Sequence, residues 1–208
     1  MAPRRIEVFV VEDDEAVRKS LCWLIESADH PARGFESAEA LLTVFDPQGP
    51  GCVVTDVRMP GRDGLSLLRE IVVKNRLVPV IVITGHGDIQ MAVSAMKDGA
   101  FDFVEKPFDE KALLAVIERA MGESARRYAA RDRDQDLWDG LARLTPRERE
   151  VLEYIVDGRP NRVVAVEMGI SEKTVEAHRA HIMEKMEATS FADLIARVIQ
   201  GRMLDSDA

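Results

Sequence analysis

The chain has 208 residues, of which 46% are hydrophobic and 31% charged, with a formal net charge of −9. That length favours two domains, and that apolar content supplies packed cores, which excludes a disordered or low-complexity chain. Two cysteines, Cys22 and Cys52, lie in apolar patterns without metal-ligand spacing and read as core residues.

In chain order, IEVFVV (6–11), CVVTD (52–56), VPVIVIT (78–84) and FDFVE (101–105) read as strands, and ARGFE (32–36) as a weaker fifth. Between them Val17, Leu21, Leu24, Ile25 and Ala28 recur at helical spacing. So do Leu65, Leu68, Ile71 and Val72, and Ala92, Val93, Ala95 and Met96 mark a further helix. Strand and helix in alternation predict an α/β domain, a doubly wound five-stranded parallel sheet with helices on both faces. A helix carrying LLAVIERAM follows, and then GESARRYAARDRDQDLWDG (122–140), dense in charge, reads as a solvated linker, partly helical. The expected division is therefore 1–121, a linker at 122–140, and 141–208.

Beyond the linker no strand pattern is found. Thr145 with Glu148 three residues on makes a capping box, Pro146 suits the first helical position, and Gly158 closes that helix. NRVVAVEM stops at Gly169, Ser171 opens EKTVEAHRAHIMEKM, and Ser190 with Asp193 opens a last helix whose stripe is Leu194, Ile195, Val198 and Ile199. The second domain is thus expected to be small and all-α, with four helices. No secretory leader or membrane-spanning run is read, so the expected compartment is the cytoplasm, with no membrane partner. An acidic total argues against nucleic acid only if no basic face is concealed within one domain.

The chemistry gathers at strand ends. In a doubly wound sheet the carboxyl ends of neighbouring strands converge on one rim. The first run ends in Glu12 and Asp13, the third in Asp56, the fourth in Thr84, and the fifth is followed by Lys106. Three crowded carboxylates repel one another unless a cation joins them, and all-oxygen ligands suit Mg²⁺ or another divalent cation. Thr84 and Lys106 would complete a cradle for a phosphoryl group, and one carboxylate would act as nucleophile, giving an acyl phosphate. A lone Asp at a strand end is more often a turn or cap; complementary groups from four strand ends in order decide for a site.

VVEDDE, TDVRMPGRDG, VIVITGHGD and FVEKPF together resemble the receiver domain of two-component response regulators, a flavodoxin-like fold. The resemblance implies that Asp56 accepts phosphate from a histidine kinase, that Glu12, Asp13 and Asp56 with the Arg58 backbone carbonyl bind Mg²⁺, and that Thr84 and Lys106 coordinate the phosphoryl group. It makes Phe103 an aromatic switch coupled to Thr84, gives Met59, Pro60 and Gly64 the shaping of the loop after Asp56, and makes the Lys106–Pro107 bond cis. Glu12 departs from the Asp of many receivers; its longer carboxylate would act directly or through a metal-bound water.

LTPREREVLEYIVDGRPNRVVAVEMGISEKTVEAHRAHIMEKM (144–186) resembles the LuxR-type helix-turn-helix, and with the receiver the whole is similar to the FixJ-like group of transcriptional regulators. The resemblance places Glu176, Ala177 and Ala180 against bases and Lys173, Thr174, Arg179 and Lys185 against phosphates of double-stranded DNA. It implies a phosphorylation-controlled regulator, not an enzyme, that forms a homodimer on phosphorylation, with RNA polymerase as a further partner. Two other readings are weighed. A Mg²⁺-dependent phosphohydrolase of the haloacid dehalogenase type needs a second Asp two residues after the nucleophile, where Arg58 stands. A receiver-type adaptor that binds no DNA would lack salt-dependent binding to duplex.

Overall fold

Uninterrupted runs of Val and Ile form strands where both faces of a sheet are covered. The computed structural model describes residues 6–45, 49–85 and 89–206. In it five segments become β1 (Glu7–Val11), β2 (Ala32–Phe35), β3 (Gly51–Asp56), β4 (Val80–Thr84) and β5 (Asp102–Glu105), with apolar runs of this kind in β1, β3 and β4. They form one parallel sheet in the order β2-β1-β3-β4-β5. His86, Gly87 and Asp88 of the VIVITGHGD motif lie outside the described residues, as do the outermost ends of the two expected domains.

Side-chain alternation sorts the sheet into two faces. Val8, Val10, Cys52, Val54, Ile81 and Ile83 pack against Leu21 and Ile25 of α1 (Glu15–Ser27) and Leu113 and Ile117 of α5 (Glu110–Ala142). Val11, Val53, Val80 and Val82 meet Leu41 of α2 (Ala38–Val44), Leu67, Leu68 and Ile71 of α3 (Gly64–Lys74) and Ala95 of α4 (Ile89–Lys97). Cys52 lies on the central strand, fully buried, and burial pushes its thiol up to about 12. α2 escaped the sequence reading; Ser37 caps it by accepting from the Ala40 N–H at 3.1 Å.

The expected linker needs correction. α5 runs from Glu110 to Ala142 without a break, and two compact units divide after Ala129. Residues expected to open a solvated connection at 122 instead complete the first unit. Ser124 is fully buried and its hydroxyl accepts from the Gly51 N–H at 3.1 Å, Asn75 Nδ2 donates to the Tyr128 hydroxyl at 2.6 Å, and Arg127 donates to the Arg76 carbonyl at 2.8 Å.

The second unit takes Leu137 from the end of α5 and packs it with Leu144, with Val151, Leu152 and Ile155 of α6 (Pro146–Val156) and with Val164 of α7 (Asn161–Met168). Val175 and Ile182 of α8 (Glu172–Lys185) and Leu194 and Val198 of α9 (Phe191–Ser206) close the same core. The capping box forms as expected: Thr145 Oγ1 accepts from the Glu148 N–H while the Glu148 carboxylate accepts from the Thr145 N–H. Gly169 ends α7 at φ 66°, a left-handed conformation that only glycine adopts readily.

Candidate functional site

The parallel register places the strand ends together: Asp56 pairs with Ile83, and Thr84 with Glu105, so the ends of β3, β4 and β5 sit side by side with the loop that follows β1. Carboxylate oxygens of Glu12, Asp13 and Asp56 lie within 4.8 Å of one another. Glu12 and Asp56 are buried and Asp13 is exposed. Lys106 Nζ bridges the two buried carboxylates, donating to Glu12 Oε2 at 2.8 Å and to Asp56 Oδ1 at 2.8 Å. The Arg58 N–H donates to Asp56 Oδ2 at 2.8 Å, so both Asp56 oxygens are held.

Around these groups the main chain is tightly fixed. The Gly64 N–H donates to the Val57 carbonyl at 3.0 Å, and a Cβ at position 64 would stand 2.0 Å from the Asp56 carbonyl oxygen; only glycine allows this approach. Gly61 turns at φ 78° in the same loop, and Met59 is buried in the core cluster on one face of the sheet. Thr84 is buried, and its carbonyl accepts the Lys106 N–H at 2.7 Å. The Lys106–Pro107 peptide is cis. Phe103 is half-buried, aligned with Val82 in the β4–β5 ladder and packed on the same core cluster.

The electrostatics show unfinished charge balance. Burial pushes the Glu12 carboxyl above its ordinary value, the hydrogen bond and charge of Lys106 pull it back incompletely, and the charge of Asp56 adds to the rise. Burial works against the Lys106 ammonium, yet its two carboxylate partners outweigh this and hold its pKa above the usual value. Three carboxylates thus face one ammonium, with oxygen donors only, a set that suits a hard divalent cation.

In the second unit α8 buries Val175 and Ile182 and turns Lys173, Thr174, Glu176, Ala177 and Ala180 to solvent. Two residues expected at phosphates have other occupations. Lys185 Nζ bonds Glu148 at 2.7 Å and 3.0 Å, a partner 37 positions away that local spacing does not reveal. Arg179 donates to Asn161 Oδ1 at 3.0 Å, lies 4.5 Å over the Phe191 ring, and is half-buried, which lowers its pKa. Both side chains are therefore engaged in holding α8 to its neighbours.

A carboxylate at the end of a central parallel strand, two acidic residues after the first strand, a Thr and a Lys from the next two, and a helical unit with an open-faced helix after a tight turn describe a signalling receiver joined to a DNA-binding module. Residues 8–118 match the response regulator receiver domain, and residues 142–198 match the bacterial regulatory proteins of the luxR family. The chain belongs to the response regulators that combine these two parts, and it is a phosphorylation-controlled transcriptional regulator of FixJ-like type. It is 43% identical over 205 residues to the transcriptional regulatory protein FixJ of Azorhizobium caulinodans, covering 99% of this chain and 97% of that one. It is 38% identical to the response regulator protein TodT of Pseudomonas putida, covering 99% and 90%. The structure of the response regulator StyR aligns with a TM-score of 0.84 at 40% identity, over 94% of this chain and 99% of that one. Among the described residues no helix is long and apolar enough to cross a membrane.

Proposed function

We propose that Asp56 is the phosphate acceptor. The supporting observation is its position: the end of β3, with Oδ1 on Lys106, Oδ2 on the Arg58 N–H, and Glu12 and Asp13 alongside. The phosphoryl group passes from a phosphohistidine of the kinase to an Asp56 oxygen; the P–N bond breaks, a P–O bond forms, and the product is an acyl phosphate. Glu12, Asp13 and Asp56, with the Arg58 carbonyl, would hold Mg²⁺, which when bound offsets the charge of the phosphoryl oxygens. Lys106 releases Asp56 Oδ1 to pair with the phosphoryl group, and the Thr84 hydroxyl donates to it. Movement of Thr84 toward that group lets Phe103 follow, and the receiver population shifts to a form that dimerises.

The dimer reads two half-sites of duplex DNA through α8, with Glu176, Ala177 and Ala180 toward bases and Lys173 and Thr174 toward phosphates. The protein works in the cytoplasm, with RNA polymerase as its further partner. The test incubates wild-type chain and Asp56→Asn with Mg²⁺ and acetyl phosphate and measures intact mass. Wild type gains one phosphoryl group and binds promoter fragments more tightly, whereas Asp56→Asn does neither; equal labelling of the variant overturns the assignment.

A further inference from the structure

We infer that Arg18 is a positioning residue for the acidic cluster: its guanidinium fixes the main chain of the Glu12–Asp13 loop, in a space that Gly34 leaves open. The inference rests on the reading of Glu12, Asp13 and Asp56 as a divalent-cation site. Arg18 Nη1 donates to the Glu12 carbonyl at 2.6 Å and to the Asp13 carbonyl at 3.2 Å. Those two carbonyls belong to the peptide planes on either side of Asp13. Holding both on one donor sets the backbone dihedrals of Asp13, and with them the direction of its Cβ. Asp13 is solvent-exposed, so side-chain packing does not perform this task.

Two further observations support the arrangement. The Arg18 charge is felt by the neighbouring Asp14 and Glu15, but its guanidinium hydrogen bonds go to the two carbonyl oxygens. Gly34 lies inside β2, where glycine weakens a strand unless a close approach requires it. A Cβ at Gly34 would stand 3.0 Å from Arg18 Cγ, 3.1 Å from Cδ and 3.2 Å from Cys22 Sγ, so the arginine stem lies against the bare glycine and would have to give by a few tenths of an ångström to any side chain there. Arg18 and Gly34 thus form one device, a guanidinium and the groove it lies in.

The test titrates Mg²⁺ alone into the full-length protein, without phospho-donor, and follows the backbone amide shifts of Asp13 and Asp56; thermal unfolding is recorded in parallel without cation. Arg18→Ala is expected to bind Mg²⁺ about tenfold more weakly, the scale on which lost support of ligands lowers metal affinity. Arg18→Lys, which keeps one donor group, should retain part of the affinity. Gly34→Ala, whose Cβ makes the arginine stem and Cys22 Sγ give by a few tenths of an ångström, should weaken Mg²⁺ binding by less than Arg18→Ala does, and Gly34→Val by more than Gly34→Ala, with the cation-free unfolding midpoint showing that each variant folds. Arg18→Ala combined with the Gly34 variant should bind no more weakly than Arg18→Ala alone. Unchanged Mg²⁺ affinity in folded Arg18→Ala, or losses that add in the double variant, overturns the inference. Failure of the wild-type chain to bind Mg²⁺ overturns the cation reading itself, and this inference with it.

Discussion

Two buried glutamates, one in each unit, sit against a lysine at nearly the same distance and respond in opposite ways. Glu12 lies 2.8 Å from Lys106 and Glu148 lies 2.7 Å from Lys185, and their exposures are 4% and 3%. Yet the Glu12 carboxyl titrates above its ordinary value of 4.5, whereas the Lys185 hydrogen bond, helped by the Thr145 N–H and hydroxyl, brings Glu148 down to about 2. The difference lies first in burial and then in company. Desolvation is the strongest influence on Glu12, which also shares Lys106 with Asp56 and feels that second negative charge, whereas for Glu148 the Lys185 hydrogen bond and the Thr145 N–H outweigh desolvation. A satisfied pair stabilises a fold; a pair left short of positive charge is suited to receive some.

The largest expected effect breaks the first of these two settings outright. Gly64→Ala puts a methyl group 2.0 Å from the Asp56 carbonyl oxygen. The loop must then move, so the receiver should lose about 3 kcal/mol in urea unfolding, the upper range for overpacking, together with phosphate incorporation.

Next comes the settled pair. Because Glu148 titrates at about 2 in the folded chain against 4.5 ordinarily, its contribution is complete above pH 4.5 and fades as pH falls toward 2. Glu148→Gln should cost about 2 kcal/mol at neutral pH, the scale of hydrogen bonds to a charged group, and flatten the acid limb of the stability profile. With Trp23 replaced by Phe, the remaining Trp138 reports the second unit alone in that measurement. An unaltered acid limb would show that other carboxylates govern it.

Glu12 should behave with the reverse sign. Its raised value means that its contribution is complete below pH 4.5 and is lost as pH rises through the folded value. Glu12→Gln should therefore raise the unfolding midpoint of the cation-free protein at pH 7, by less than Glu148→Gln lowers it, while weakening Mg²⁺ binding. A fall in midpoint would mean that Glu12 is as settled as Glu148. The smallest effect sharpens the contrast between α8 side chains that hold the fold and those that face outward: Glu176→Ala should leave unfolding unchanged and relax preference at one operator position by about 1 kcal/mol in duplex titrations.

Much of this was legible in the sequence because the signals were local. The strand runs, the Thr145–Glu148 box and the Gly169 stop depend on neighbours within a few positions, and each formed where expected. The acidic rim was legible because parallel topology converts strand order into spatial order. Three features were hidden for identifiable reasons. α2 spans only Ala38–Val44, too short for a periodic stripe to stand out. The stretch from 122 to 140 looked like linker because its few anchors, Ser124, Tyr128 and Leu137, are scattered among charges, although each is buried. The partners of Lys185 and Arg179 are 37 and 18 positions away, and a charged residue on a helix gives no local sign of whether it points to water or to a distant carboxylate or amide.

Cys52, finally, equips the receiver with its own clock. Alkylating reagents attack thiolates, and a thiol held at about 12 on the central strand with no exposed surface offers none until the sheet parts. Cys22, half-buried on α1, is the accessible thiol of the two. After Cys22→Ser, the rate at which an iodoacetamide adduct accumulates on Cys52 counts openings of β3, and dividing it by the rate of a free thiol converts it to an opening free energy. Comparing that energy with and without acetyl phosphate would measure how firmly phosphorylation clasps the strand that ends in Asp56.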